Sequence, residues 1–519
     1  MPSQALSVLH DSAGLLISLD RPDFLFHPNH LLFQPILSLA TEPFATPGES
    51  LSRLPAFRFY AALAGAGTLA LGYLWLTTRL AVPARIAGLA VAGAALSFGI
   101  WFYSISVEIY IFPLFLMTAA VVVVSDPAAG RRRVALAAGL HALAVLFHQF
   151  AILLAPAILV LLLDPRRGDR GDRIAALGLY AGIGAAIVGG AYAAVIALSP
   201  GLGDPAAVRA WILGYAGESR FWESDVRISA LAPLVGWARA VIGGHFAFVL
   251  PGVTEAAERL TTHSDVTDDR FLVRGMAPAM AYGLTILTLA WGVLAAAIGV
   301  PALVAGLRRR RRAMAVAAAW LLPFAAFFAI YESHNRDFWI VQTFVAWMIL
   351  AIGVAARPPR RAVAGLGALV LGLALINGLG SVLPARSPAN DYYRQMAERL
   401  TADLGPGDAV VLAHHWPWRH HVALATEARI LTLDRFDGPD GAPALTERLP
   451  PAGSDARVRL WPGVLAGETG TSRVAAGRPA LLDVLIRPDC VVRNGPAFAG
   501  RRAATLVCVE PVGDGARAG

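Results

Sequence analysis

The chain alternates between long apolar blocks and short polar turns, and each block is close to the roughly 20 residues that a helix needs to cross a bilayer. One block, 134–163, is interrupted by His148 and Gln149, which indicates two short spans folded into a hairpin. The pattern therefore predicts about ten transmembrane helices. They cover residues 56–76, 86–103, 107–124, the two halves of 134–163, 174–198, 275–307, 313–331, 338–356 and 362–383.

The positions of the arginines predict the orientation of these helices. The chain contains no lysine, so all 44 basic residues are arginine. They gather in every second turn, at 131–133, 166–173, 308–312 and 357–361. Because the positive-inside rule puts such turns in the cytoplasm, the long loop 199–274 and the tail after residue 384 are expected outside.

The same alternation puts the N-terminal segment outside as well. Residues 5–19 are too short to cross the membrane and include His10 and Asp11. Either a first span is missing upstream of the sequence, or the N-terminus crosses unaided.

Composition narrows the class of protein. Hydrophobic residues make up 56% of the chain and charged residues 15%, and the mean hydropathy is +0.57, whereas soluble domains are about 25% charged. This excludes a soluble enzyme. The net charge of +8 does not predict a nucleic-acid partner, because arginines beside anionic lipid act as membrane anchors.

Three regions follow from this pattern: a first outer segment (1–55) with interfacial helices, a multi-pass membrane domain (56–383), and a small extracytoplasmic α/β domain (384–519). An apolar stretch at 229–251 contains Arg239 and His245 and is predicted to be an interfacial or re-entrant helix in the outer loop.

In the C-terminal region a helix is expected at 392–404, and strands are expected at 409–413, 429–433, 481–486 and 505–509. Cys490 and Cys508 lie on neighbouring strand-like runs. A disulfide between them and two unpaired buried thiols are both consistent with the sequence.

The polar residues expected near the outer interface are the candidates for chemistry. An acid at the edge of a span is costly, so Glu108 indicates a functional role; the alternative is a wetted acid that favours a helix N-terminus. Asp11 is either a functional acid or an ordinary helix cap. The other candidates are His27, His30, Arg58, His148, Arg336 and Asp337.

Three short motifs resemble one family. The motifs in this sequence are Asp11-Ser12 followed by His27-Pro28, the segment Val107-Glu108-Ile109-Tyr110, and Leu146-Phe147-His148-Gln149 with a following Leu-Leu-Ala-Pro. They are similar to motifs of the protein O-mannosyltransferase-like membrane proteins of the GT-C superfamily. The sequence departs from them at Ala13-Gly14, where the relatives have Gly-Glu, and at Asn29-His30, where they have Pro-Gly.

The resemblance implies a GT-C-like fold and an enzyme of a bacterial inner membrane. It implies transfer of a sugar, by hexosyl- or mannosyl-transferase-like chemistry, from a polyprenyl-phosphate donor to a glycan, lipid or protein acceptor on the outer face. It also implies that Asp11 is the general base and that Glu108 is a second acid.

Elementary chemistry assigns roles to the remaining candidates. A carboxylate must take the proton of an acceptor hydroxyl, and Asp11 suits this role. The phosphate leaving group needs cations, and Arg58 and Arg336 are the main candidates. Arg220 and Arg227 are less favoured candidates. Arg336 and Asp337 could instead form a structural ion pair. The histidines His27, His30 and His148 could bind phosphate or a divalent metal, but no definite set of metal ligands is assigned.

Two other functions compete with this hypothesis. A lipid or sugar transporter or flippase would have an internal repeat and broken helices at the midplane. A catalytically inactive scaffold for envelope assembly would explain the absence of the family's Glu at Gly14.

In the outer loop, Asp265, Asp268 and Asp269 suggest a calcium-binding site, but the segment lacks the glycine and terminal glutamate of an EF-hand.

Overall fold

The computed structural model describes residues 12–19, 25–46, 49–214, 222, 226–260, 266–356, 359–413, 418–433, 436, 441–451, 456–462, 464, 485, 490–498 and 501–508. The chain divides into two compact units. The first unit comprises Met1–Ala5 and Ser18–Pro388, and the second comprises Leu6–Ile17 and Ala389–Gly519.

The first unit is helical. Helix α1 (Ser12–Ser18) belongs to the second unit except for its last residue. The helices of the first unit are, in chain order, α2 (Phe33–Thr41), α3 (Leu54–Leu74), α4 (Ala84–Leu96), α5 (Phe98–Tyr103), α6 (Ile111–Val124), α7 (Arg131–Phe147), α8 (Ala155–Leu162), α9 (Arg170–Leu198), α10 (Pro205–Leu213), α11 (Val226–Ile242), α12 (Val253–Leu260), α13 (Thr267–Leu272), α14 (Pro278–Arg309), α15 (Arg311–Phe328), α16 (Ile340–Ala355), α17 (Pro359–Asn377) and the single turn α18 (Leu383–Ala385).

Helices lie at each of the predicted spans. Among the described residues, six helical segments are long and apolar enough to cross a membrane. They are Ser50–Arg79, Arg170–Leu198, Pro278–Arg309, Arg311–Phe328, Arg336–Ala355 and Arg361–Ala385. The predicted class, an α-helical polytopic membrane protein, is confirmed, whereas the count of ten spans stays a prediction.

Three details of the predicted spans are refined. The block 134–163 is indeed broken at His148, because α7 ends at Phe147 and a 3₁₀ turn, Gln149–Leu154, leads into α8. The span predicted at 107–124 begins as a helix only at Ile111. The span at 86–103 is interrupted at Ser97, whose backbone is extended and whose hydroxyl oxygen accepts a hydrogen bond from Trp347 Nε1 at 2.9 Å.

The burial of the helices distinguishes protein-facing from lipid-facing surfaces. In α16, 78% of the apolar window is buried inside the protein, whereas the figure for α9 and α14 is 6%. An apolar helix whose surface is exposed all round requires an apolar solvent. The outer faces of α9 and α14 are therefore the lipid-facing surface.

Gly93→Ala in α4 is expected to lower the free energy of unfolding by about 1–3 kcal/mol, because a Cβ there would lie 2.5 Å from the Trp347 ring. Gly88→Ala in the same helix is the matched control, since no atom lies within 4 Å of the added Cβ, and it is expected to be neutral or slightly stabilising. Melting of the detergent-purified variants would measure the difference. Equal melting temperatures would contradict this packing.

The second unit contains the predicted small α/β domain. Its sheet has the strand order β2-β1-β3-β5-β4, with β1 parallel to β2 and β3 and the other pairs antiparallel. The strands are β1 (Ala409–Leu412), β2 (Arg429–Thr432), β3 (Val458–Leu460), β4 (Cys490–Phe498) and β5 (Arg501–Cys508). The helices are α19 (Tyr392–Thr401), α20 (Trp418–Ala425) and α21 (Gly441–Arg448).

The predicted helix at 392–404 and the strands at 409–413, 429–433 and 505–509 are present, while 481–486 lies outside the described residues except for Leu485. Strand β3 was not predicted, whereas β4 and β5 correspond to the two neighbouring strand-like runs predicted at Cys490 and Cys508. Strand β4 continues through Gly495 and Pro496, which usually interrupt strands, and the pairing register shifts at this point. The register puts Cys490 directly opposite Cys508. The disulfide itself stays a prediction.

Candidate active site

The His27-Pro28 motif forms a tight 3₁₀ turn, Pro28–His30. His27 caps this turn, since its Nδ1 accepts the Asn29 backbone N–H at 3.2 Å. The rings of His27 and His30 stack with centroids 4.2 Å apart, and His30 Nδ1 lies 2.7 Å from Gln34 Oε1. Burial lowers the pKa of His27 to about 4 and also lowers the pKa of His30 well below its usual value. Both imidazoles are therefore neutral near pH 7.

This turn is fixed to the tip of the α7–α8 hairpin. Gln149 Nε2 donates a hydrogen bond to the Pro28 carbonyl at 2.9 Å and another to the Tyr192 hydroxyl at 2.8 Å, and the Tyr192 hydroxyl donates to the same carbonyl. The backbone N–H of Leu32 donates to the Leu146 carbonyl at 2.9 Å. The His27-Pro28 motif and the His148-Gln149 motif are thus held together, although Pro28 and Gln149 are 121 residues apart in sequence.

The third motif joins them through Tyr110. The Tyr110 ring lies 5.6 Å from the His148 ring, and the His148 ring lies 6.3 Å from the His30 ring. His148 Nδ1 also accepts the Phe150 backbone N–H at 3.3 Å, which caps the turn that follows. The structure therefore brings the Glu108 segment, the His27 turn and His148 to one place in the first unit.

Glu108 lies in the non-helical segment before α6, three residues ahead of Ile111. Its side chain is buried, with 2% exposure, and its Oε2 accepts the Ile109 backbone N–H at 3.2 Å. The alternative of an acid wetted at the interface in the first helical turn is therefore wrong. A buried carboxylate two residues before Tyr110, whose ring lies 5.6 Å from the His148 ring, is consistent with a functional role.

Arg336 and Asp337 point to different partners. The carboxylate of Asp337 accepts a hydrogen bond from the Tyr103 hydroxyl, and the Tyr103 ring lies 5.8 Å from the Tyr110 ring, so Asp337 adjoins the site. Arg336 Nη1 instead lies 3.4 Å from Asp269 Oδ1. Arg336 thus forms a buried salt bridge with Asp269.

Arg239, His245, Asp269 and Arg336 form a buried charge cluster. Asp269 accepts from Arg239, and its Oδ1 lies 3.2 Å from His245 Nε2. Burial alone would raise the pKa of Asp269, but the adjacent Arg239, His245 and Arg336 hold that pKa well below its usual range. His245 Nδ1 lies 2.9 Å from Ser381 Oγ. These partners occupy the Asp269 carboxylate, which argues against the calcium alternative.

The sequence reasoning gave no binding or positioning role to His245 or Tyr192. It included Gln149 in a motif without naming a partner, and it considered Asp269 only as a calcium ligand. Arg239 and His245 did give a signal, because they interrupt an otherwise apolar stretch that becomes α11 and the following turn. Buried polar residues need partners, so this interruption could have indicated an ion-pair network, whereas only an interfacial or re-entrant helix was predicted. It did not indicate which residues complete the network.

The structure gives less information on the remaining candidate site residues. Arg58 is half-buried in the first turns of α3, next to Phe57, whose ring packs against Phe33 and Phe112 near the His27 turn. Asp11 and Arg220 lie outside the described residues, as does the side chain of Arg227.

Among the described residues, no three side chains of His, Cys, Asp or Glu form a metal-binding group. A divalent metal thus stays a sequence-based hypothesis.

Within the second unit, α1 begins one residue after Asp11 and packs against α20. A Cβ at Gly14 would lie 3.1 Å from the ring of His420. The resembling family has Glu at this position, and a Glu here would require the His420 ring to move.

Acidification is expected to destabilise the protein through His27. Between about pH 6.5 and pH 4 the unfolded chain binds a proton at His27 that the folded chain does not, so stability falls as pH is lowered. The loss from this residue is about 2 kcal/mol at pH 5 relative to pH 8. His27→Asn, which keeps a side-chain cap, is expected to flatten the pH dependence of the melting temperature between these values. An equal loss in the variant and the wild type would contradict this assignment.

Comparison with known proteins places this geometry in a known fold. The sequence matches no protein-family profile and no curated protein sequence. The structure is similar to that of ArnT from Cupriavidus metallidurans in the apo state, with a TM-score of 0.58, 12% identity, and 98% of this chain and 93% of ArnT covered. For ArnT bound to undecaprenyl phosphate, the TM-score is 0.55 at the same identity and coverage. The chain therefore has the same overall fold as ArnT.

Proposed function

We propose that this protein transfers a sugar from a polyprenyl-phosphate-linked donor to an acceptor on the extracytoplasmic face of the membrane. The observation that carries the proposal is the convergence of the His27 turn, the Glu108 segment and His148 at one buried place in the first unit. The shared fold with ArnT, one structure of which holds undecaprenyl phosphate, supports the lipid-linked donor.

Two carboxylates are proposed to serve the reaction. Asp11 takes the proton from the acceptor hydroxyl, because a neutral hydroxyl is a poor nucleophile without a base. Glu108 is the second acid. Its burial and its hydrogen bond from Ile109 favour a fixed carboxylate that orients a substrate group.

The leaving phosphate is proposed to lie beside His27, His30 and His148. Neutral imidazoles donate hydrogen bonds to phosphate oxygens without requiring a counter-ion, and Arg58 in α3 supplies positive charge. The contact of Arg336 with Asp269 favours a positioning role, in which Arg336 fixes the turn that presents Asp337. Asp337, held by Tyr103, is a candidate for binding sugar hydroxyls.

The identities of the sugar, the acceptor and the membrane belong to the same proposal, as does the role of a metal. The donor sugar is a hexose such as mannose, the acceptor is a glycan, lipid or protein, and a divalent metal is an optional participant. The protein resides in a bacterial inner membrane, with the second unit outside the cytoplasm. The arginine-rich turns support this orientation.

Reconstitution of the full chain in liposomes tests the proposal. Polyprenyl-phosphate mannose and polyprenyl-phosphate glucose, each with a radiolabelled sugar, are supplied together with an extract of cell-envelope acceptors. The expected result is release of free polyprenyl phosphate and transfer of label to the acceptor fraction from at least one donor. Movement of the intact donor across the bilayer without loss of its sugar, or equal transfer from a nucleotide sugar alone, would overturn the proposal.

A further inference from the structure

A cavity of about 310 Å³ lies in the first unit, and it is lined mainly by arginines. The C-terminal end of α3, the loop after α8 and the junction between α14 and α15 surround it. The arginines that line it are Arg79, Arg166 and Arg309–Arg312.

Half of these arginines have no carboxylate partner among the described residues. Asp126 pairs with Arg79 at 3.1 Å, and the buried Asp164 pairs with Arg166 at 3.6 Å and with Arg312. Arg309 and Arg310 donate hydrogen bonds to the backbone carbonyls of Ala356 and Leu80, which hold the guanidiniums in place but carry no charge. Within the part of the chain that the structure describes, two carboxylates thus face six guanidiniums, and Asp126 also pairs with Arg133 at 2.8 Å. The concave surface therefore carries about four uncompensated positive charges.

Apart from Ser125, the other residues that line the cavity are apolar or aromatic. Trp75, Leu80, Leu161 and Val316 contribute to the wall, and the Trp75 indole is fixed by a hydrogen bond from its Nε1 to Ser125 Oγ at 2.9 Å. A cavity of this kind accommodates an anionic head and the first carbons of an alkyl chain. It suits a lipid better than it suits a small free anion.

The position of the cavity along the helical segment indicates the membrane face at which it lies. The helical segment that carries Arg58 near the candidate active site also carries Arg79 at the cavity. These two residues are 21 positions apart, or roughly 31 Å at 1.5 Å per residue, which matches the thickness of the hydrocarbon core. The cavity is therefore on the opposite membrane face from the candidate site, at the level of the lipid headgroups.

We propose that this arginine-lined cavity binds the phosphate headgroup of an anionic membrane lipid. Guanidinium groups pair two phosphate oxygens at once, and basic pockets between membrane helices bind anionic headgroups. The site differs from the candidate active site in residues and in membrane face. Its test is therefore independent of sugar transfer.

Native mass spectrometry of the detergent-purified full chain tests the proposal with three probes: phosphatidylglycerol, phosphatidylcholine and inorganic phosphate. The double variant Arg166→Gln/Arg311→Gln removes two lining charges. The matched control Arg132→Gln/Arg308→Gln removes two charges from arginines that do not line the cavity, including one from the same run. Melting temperatures verify that all proteins are folded.

The wild type is expected to retain phosphatidylglycerol in preference to phosphatidylcholine, and inorganic phosphate is expected to compete weakly. The lining variant is expected to bind phosphatidylglycerol at least about tenfold more weakly, because it loses two charge-assisted contacts, while the control changes by less than about twofold. Equal losses in both variants, unchanged binding in the lining variant, or full displacement by inorganic phosphate would overturn the proposal.

Discussion

Asp11→Asn is expected to lower the rate of sugar transfer by about 100- to 10,000-fold, the usual contribution of a general base. Asparagine has the size of aspartate but cannot take a proton from the acceptor hydroxyl. The effect is expected in the rate at saturating donor, because the donor does not need the base in order to bind. The measurement is transfer of labelled sugar by the reconstituted variant, with donor binding measured separately.

Asp20→Asn is the matched control for this experiment, because it removes another carboxylate from the same N-terminal segment. It is expected to change the rate by less than about threefold. Wild-type transfer by the Asp11 variant would remove Asp11 from the mechanism and would leave Glu108 as the candidate base. Loss of transfer in both variants would indicate a general requirement for negative charge in this segment.

The alternation of apolar blocks and arginine turns predicted the positions of the helices because bilayer thickness imposes a minimum length on every span. It also predicted the hairpin, since His148 and Gln149 break an apolar run that is too long for one short span and too short for two ordinary ones. It could not predict that 104–110 stays non-helical before α6. That segment contains Ser104, Ser106 and Glu108 and is more polar than the helix that follows, but the exact residue at which a helix begins is the least certain part of a prediction from periodicity.

The convergence of the three motifs was predictable only through their resemblance to a family. In the structure it depends on pairs that are far apart in sequence, such as Tyr192 with Pro28, 164 residues away. A local pattern carries no information about such contacts. The same holds for Arg336, whose neighbour Asp337 was the obvious partner in sequence, while its observed partner, Asp269, lies 67 residues away.

The two polar clusters of the first unit are connected at Arg336 and Asp337. Through Tyr103, Asp337 is linked to Tyr110 and His148, while Arg336 is held by Asp269. The charge cluster thus fixes the backbone turn that presents Asp337 to the candidate site. Damage to the cluster should therefore affect stability first and activity as a consequence.

Asp269→Asn is expected to lower the free energy of unfolding by about 3–5 kcal/mol, because it leaves Arg239 and Arg336 buried without their shared counter-ion. Asparagine has the same shape, so the loss reports charge and not packing. In the wild type this contribution is fully present above the ordinary Asp pKa and is lost progressively as pH falls from there to the strongly lowered pKa of Asp269. The variant should therefore melt at a clearly lower temperature already at neutral pH.

Glu255→Gln is the matched control for the Asp269 variant, because Glu255 is an exposed acid in the same loop region. It is expected to change stability by less than about 0.5 kcal/mol. Melting of both variants in the same detergent, followed by tryptophan fluorescence, gives the comparison. If Asp269→Asn melted like Glu255→Gln, water or lipid would be neutralising the two arginines, and the positioning role assigned to Arg336 would lose its basis.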